Sequence, residues 1–236
     1  VSDPTPLPPP LDPATVRGIV FDLDGTLVDS YDAITASLNH ARAGYGLAAL
    51  PEAEVRLQVG RGLEALIADL VGPDRIDDGV ARFRERYAEV YATGTRILDG
   101  VGAPLTRLAD AGYRMSVASN KPARFSGPIL DHFGLGELFD AVEGPDTAGS
   151  TKPDPAMIRR CLAAMEVAPA EAVYVGDMVL DVESGDQAGV GVLLVVGGSS
   201  SPESLGRTGR PVLDSIRRLP EMLPLCGTPS SDTEVP

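Results

Sequence analysis

The sequence predicts an α/β fold, a doubly wound parallel sheet with a small helical cap inserted after the first strand. Three observations predict it. A short apolar run, Gly18-Ile19-Val20-Phe21, ends in Asp22-Leu23-Asp24-Gly25. The next 66 positions, 31–96, show helical spacing of apolar residues and no strand-like alternation. From Gly102 to Val196, short apolar runs alternate with helical segments, the pattern of a parallel sheet covered on both faces.

The first strand ends at Phe21. Residues two apart on a strand point the same way, so Asp22 and Asp24 face one spot before Gly25 turns the chain. Two carboxylates aimed together attract a hard cation, and one of them can act as a nucleophile. A strand-end aspartate that caps the following helix is the plain structural alternative. In the cap, Ile34, Leu38, Ala41 and Tyr45 recur at helical spacing. Leu63, Leu66, Ile67 and Leu70 repeat the pattern, and Ile76, Val80, Phe83, Tyr87, Val90 and Tyr91 form the longest such face. Gly60-Arg61-Gly62 interrupts the pattern. Arg61 is either an ordinary loop residue or a substrate-facing cation.

Beyond the cap, Pro104–Ala111 reads as a helix closed by Gly112, Tyr113–Ala118 as a strand and Ala123–Phe133 as a helix. Phe139–Val142 is expected to be a strand, Pro155–Met165 a helix, Ala172–Gly176 a strand, Asp181–Ala188 a helix and Gly191–Val196 the last core strand. Ligands of such folds lie outside the carboxyl ends of the strands. That rule selects Ser119-Asn120, the segment around Lys152, and Asp177. The Ser119 hydroxyl and the following backbone N–H, that of Asn120, suit a phosphate oxygen, although serine before Asn-Lys-Pro is also a common turn former. Lysine is scarce: Lys121 and Lys152 stand against eighteen arginines. The prolines of Lys152-Pro153-Asp154-Pro155 stiffen the backbone under Lys152. Asp177 leaves a buried strand and Asp181 follows four residues on, where the helix dipole also favours acidic residues.

With 236 residues, 43% of them apolar, the chain holds one good-sized domain carrying an insertion. We expect the core at 14–30 and 97–225, the cap at 31–96, and disordered Pro-rich or polar tails at 1–13 and 226–236. The net charge of −14 argues against nucleic acid, so an anionic substrate must be attracted by a local site and a metal. Two cysteines, Cys161 and Cys226, make a disulfide framework unexpected, and a reducing cytoplasm is the default compartment. No apolar stretch approaches the roughly 20 residues that cross a bilayer, and the first residues lack the features of a signal peptide.

The string Asp22-Leu23-Asp24-Gly25-Thr26-Leu27-Val28-Asp29-Ser30 resembles the nucleophile motif of the haloacid dehalogenase superfamily. Ser119, Lys152-Pro153 and Gly176-Asp177 with Asp181 match its three later motifs in order, over roughly Arg17 to Gly198. Asp99-Gly100-Val101, Gly112 to Pro122, and His132-Phe133-Gly134-Leu135 look like its phosphoglycolate phosphatase branch. The resemblance implies a Rossmann-like core and a phosphatase for a small phosphorylated metabolite. Asp22 would be phosphorylated, and Asp24 would serve the leaving alcohol and the attacking water in turn. Mg²⁺ would be held by the Asp22 carboxylate, the Asp24 carbonyl and Asp177. Lys152, with Ser119 and Asn120, would hold the phosphoryl oxygens, while Asp181 would orient Lys152 or a metal-bound water. A β-phosphoglucomutase-like mutase and a catalytically silent binding member are the alternatives. Asp24 argues against a dehalogenase, and the absence of lysine between Asp24 and Gly100 argues against a phosphonate-cleaving relative. The oligomeric state is open.

Overall fold

The computed structural model describes residues 12–223. Apart from residues 12 and 13, the expected tails lie outside this range, as does Cys226. The strands are β1 Gly18–Phe21, β2 Val28–Asp29, β3 Arg96–Ile97, β4 Arg114–Ala118, β5 Ala141–Glu143, β6 Ala172–Gly176, β7 Gly191–Val195 and β8 Val212–Leu213. Six of them form a sheet in the order β5-β4-β1-β6-β7-β8, with every pairing parallel. The helices are α1 Tyr31–Ala43, α2 Glu52–Arg56, α3 Leu63–Leu70, α4 Ile76–Val90, α5 Gly102–Asp110, α6 Ala123–His132, α7 Pro145–Ala148, α8 Ala156–Met165, α9 Val179–Ala188, α10 Pro202–Gly206 and α11 Leu219–Met222.

Side chains alternate across the sheet and are buried on both faces. Ile19 and Phe21 of β1 join Met115, Val117, Val173 and Val175 in one core, closed by Leu105 and Leu108 of α5 and Ile129 and Leu130 of α6. Val20 and Tyr174 face the other way, onto Met157, Ile158, Cys161, Leu162 and Met165 of α8. This double coverage explains why the strands read as continuous apolar runs. Fully burying one such aliphatic side chain contributes about 1.5–3 kcal/mol.

Register positions the site. Phe21 lies opposite Val117 in β4 and Val175 in β6, so the three central strands end level with one another. Asp22 extends the ladder by donating its N–H to the Val175 carbonyl at 2.8 Å. Four strands differ from expectation: β2, β3 and β8, each two residues long, lie outside the expected set, so β7 is not the last strand of the sheet, and β5 is shifted. The strand placed at Phe139–Val142 begins at Ala141, because a 3-10 turn at Gly136–Leu138 precedes it and the Phe139 ring packs edge-on against Phe21, 6.1 Å between centroids. The edge strand β8 is two residues long, too short to show any periodicity.

The cap segments are α1 to α4, held together by Ile34, Leu38, Val55, Leu66, Ile67, Val80, Phe83 and Tyr87. The chain leaves and re-enters the core through β2 and β3, which pair antiparallel as Val28↔Ile97 and Asp29↔Arg96. Asp29 is buried and accepts from Arg96 at 2.8 Å and Arg56 at 3.3 Å, tying both connections to α2.

Candidate active site

Asp22, Ser119 and Asp177 emerge at the carboxyl edge of the sheet, and all three are buried. Asp22 Oδ1 accepts from the Leu23 N–H at 2.7 Å, which fixes the carboxylate just past the strand. Its Oδ2 lies 2.7 Å from Lys152 Nζ. Lys152 also donates to Asp181 Oδ1 at 2.8 Å and to the Tyr174 hydroxyl at 3.0 Å, while its side chain is only 3% exposed. Burial alone disfavours the ammonium, but Asp181 and Asp22 outweigh it, and the Lys152 pKa lies well above the ordinary lysine value. Lys152 is therefore a fixed positive charge over Asp22.

Tyr174 went unnoticed in the sequence. Its hydroxyl donates to the Ala118 carbonyl at 2.8 Å and accepts from Lys152, so it bridges the end of β4 to the lysine. A tyrosine inside a fully buried strand needs such a partner, and that was the available signal. Asn120 has its side chain committed. Its amide donates to the Gly60 carbonyl in the cap at 2.7 Å, and its Oδ1 accepts from the Lys152 N–H at 2.7 Å. One side chain thus joins the cap loop to the lysine loop.

Asp22, Asp177 and Asp181 place carboxylate oxygens within 4.8 Å of one another, all buried. Against these three negative charges stands Lys152. Burial, then the neighbouring charges of Asp181 and Asp22, hold the Asp177 carboxyl well above the usual range, and burial raises Asp181 as well. Asp177 is clasped by the Thr26 hydroxyl at 3.2 Å and the Ser199 N–H at 2.7 Å. The backbone of Gly25 (φ +83°) approaches so closely that a Cβ there would sit 2.8 Å from the Asp177 carboxyl. An excess of buried carboxylate on rigid supports fits a hard divalent cation.

A prediction follows from the raised carboxyls. A group whose folded pKa exceeds its unfolded value loses its stabilising contribution as pH rises through the folded value. The metal-free chain should therefore lose stability from about pH 4 upward, and Mg²⁺ should restore more of it at pH 8 than at pH 5, because protons compete for the same oxygens. At 100 times Kd the gain is about 2.7 kcal/mol, or roughly 5–11 °C in Tm for a chain of this size. Thermal melts with Mg²⁺ and with chelator at both pH values check it; equal melts throughout would exclude a metal at these carboxylates.

Asp24 is held differently. Its Oδ1 accepts from Lys121 Nζ at 2.6 Å and from the Ser30 hydroxyl at 2.5 Å. Lys121, the weaker of the two lysine candidates in the sequence, is thus a second buried ammonium of the site. Its pKa is raised, as the Asp24 charge outweighs the cost of burial. It also lies 5.4 Å from the centre of the Tyr87 ring in the cap.

Arg61 is a correction. Gly60 and Gly62 line the cavity above Asp22, but Arg61 does not, and its guanidinium pairs with Asp69 on the exposed side of the cap. Positive φ at both glycines (+125° and +94°) lets the backbone, rather than the arginine, face the cavity. Arg84 of α4 lines it instead. Because an exposed pair contributes only about 0.2–1 kcal/mol, Arg61→Ala should change kcat/KM less than about fivefold on any ester, as steady-state assays will show.

Fold and site together define a capped α/β hydrolase with a cluster of buried carboxylates at the carboxyl edge of its sheet. A family model described as haloacid dehalogenase-like hydrolase matches residues 19–195. The chain belongs to that family, among its phosphatases. It is 34% identical over 212 residues to a plasmid-encoded phosphoglycolate phosphatase of Cupriavidus necator, covering 87% of this chain and 92% of the relative. A phosphoglycolate phosphatase of Rhodospirillum rubrum is 35% identical over 218 residues, covering 88% and 90%. Among solved structures, a predicted phosphoglycolate phosphatase from Haemophilus somnus superposes with a TM-score of 0.79 at 25% identity, covering 89% of this chain and 98% of the other.

Proposed function

We propose that this chain is a Mg²⁺-dependent phosphatase that hydrolyses a small phosphate monoester through an aspartyl-phosphate on Asp22. The observation that carries this reading is the Asp22 carboxylate at the end of β1, 2.7 Å from a buried lysine and at the floor of a cavity shared with Asp24 and Ser119. Asp22 attacks phosphorus as the bond to the alcohol oxygen breaks, and Asp24 delivers a proton to that oxygen. Asp24 then takes a proton from water as the water oxygen bonds to phosphorus and the Asp22–phosphorus bond breaks, releasing inorganic phosphate. Ser119 and the Asn120 backbone N–H hold phosphoryl oxygens, and Lys152 offsets their charge. Asp181 and Tyr174 keep Lys152 in place, and Lys121 with Ser30 does the same for Asp24.

Asp22, Asp177 and the Asp24 carbonyl would hold Mg²⁺, which would supply further charge neutralisation at the phosphoryl group. The cap, joined to the core by Asn120–Gly60, excludes bulk water from the phosphoenzyme. Phosphoglycolate, named for the relatives above, is the first ester to assay. Release of inorganic phosphate in Mg²⁺, with a chelator control and acid trapping of the phosphoenzyme, tests the reading. A trapped phosphoryl group returned to substrate alcohol instead of water would identify a mutase.

A further inference from the structure

The cavity over Asp22 has two unlike walls, and its volume is about 750 Å³, counting the open mouth. The core wall carries the charged groups already described. The cap wall is made by Ile34, Val59, Leu63, Leu66, Phe83 and Tyr87. From the core, Phe125 continues it, its ring edge-on to Tyr87 at 5.0 Å between centroids. Met178 closes the side beneath Gly60, against which its side chain packs.

Charge is scarce on the cap side. Arg84 is the one cap cation lining the cavity among the described residues. It pairs with Glu64 at 3.5 Å, and both side chains are about half exposed, so the mouth carries a neutral pair. A carboxylate on the leaving alcohol would lie against aliphatic carbon and lose its hydration without a buried partner. The Tyr87 hydroxyl, buried beside Lys121, makes no well-formed hydrogen bond in the described chain and offers one polar contact.

We infer that the preferred substrate is a phosphate monoester whose leaving alcohol carries an apolar body rather than a second anionic group. This rests on the phosphoryl group lying at Asp22, as proposed above. The apolar lining belongs to the same cavity as the nucleophile, so the alcohol is the part of the substrate that meets it.

The test is a ladder of n-alkyl phosphates from propyl to hexyl, whose alcohols have nearly equal acidity, assayed beside 2-phosphoglycolate. Each methylene that enters the wall should raise kcat/KM about fourfold until the cavity is filled. Butyl phosphate should exceed 2-phosphoglycolate by more than about tenfold, a factor that two buried methylenes supply. A flat ladder, or a preference for 2-phosphoglycolate, overturns the inference while leaving the phosphatase reading intact. Calorimetric binding of n-alkylphosphonates in Mg²⁺ reads the same wall without turnover. Affinity that climbs with chain length, found together with no phosphate release from any ester, would support the wall and overturn the phosphatase reading alone.

Discussion

Asp22→Asn abolishes turnover and the trappable phosphoenzyme together, with a fall in kcat on the order of 10⁴-fold or more, the scale seen when a catalytic nucleophile is removed. An amide nitrogen or oxygen is a poor nucleophile, and it is also a weaker ligand for a hard cation. The fold should tolerate the change, because the Asp22 backbone N–H still donates to Val175 and an amide oxygen can still accept from Leu23. Mass spectrometry of the intact variant must show that the amide has not reverted to aspartate. Substantial turnover by a verified variant would remove Asp22 from the nucleophile's role and with it the proposed mechanism.

Lys152→Met should damage both chemistry and stability. The ammonium lies 2.7 Å from Asp22, 2.8 Å from Asp181 and 3.0 Å from the Tyr174 hydroxyl, at 3% side-chain exposure. Removing one partner of a buried charge pair leaves the other uncompensated, at a cost of about 3–5 kcal/mol. For a chain of this length that is roughly 6–20 °C in Tm. Turnover should fall at least about 10²–10³-fold, as for loss of one preorganised group at a developing charge. Mg²⁺ should return part of the stability by occupying the carboxylates, but little of the activity. Lys152→Arg should not restore the rate either, since a planar guanidinium cannot place one nitrogen against three converging oxygens. Near-normal melting and turnover in Lys152→Met would show that this lysine neither neutralises the carboxylate cluster nor serves the phosphoryl group.

Much of the site was legible because its residues sit at strand ends. A buried parallel strand announces itself as an apolar run, and the polar residue that ends it is visible against that background. Asp22, Ser119 and Asp177 were singled out in this way, and Lys152 through its prolines and its rarity, each alongside the motif resemblance. Lys121 shares that rarity, yet nothing local distinguishes a lysine aimed at Asp24, ninety-seven positions away, from one in solvent. Tyr174 likewise reads as core, because its hydroxyl is satisfied by Ala118 and Lys152 from other segments. Arg61 failed for a related reason: flanking glycines reveal a flexible backbone but not the direction of the side chain between them.

Local periodicity, and the points where apolar runs stop, set out the five longer strands of the sheet, the helices between them, the two-sided burial of the sheet and the carboxylates at its edge; the two-residue strands β2, β3 and β8 are too short to leave such a signal. Tertiary structure alone decided which charges meet. The level ends of β1, β4 and β6 follow from ladder register between distant segments, and they bring Asp22, Ser119 and Asp177 to one edge. The pairing of Lys152 with Asp22 and Asp181, and of Lys121 with Asp24, depends on side chains converging from different loops at hydrogen-bond distance. The apolar cap wall over the nucleophile is of the same kind. Helical spacing predicts that Leu66, Phe83 and Tyr87 are inward, but only the packing of α3 and α4 over the core turns that inward surface toward Asp22.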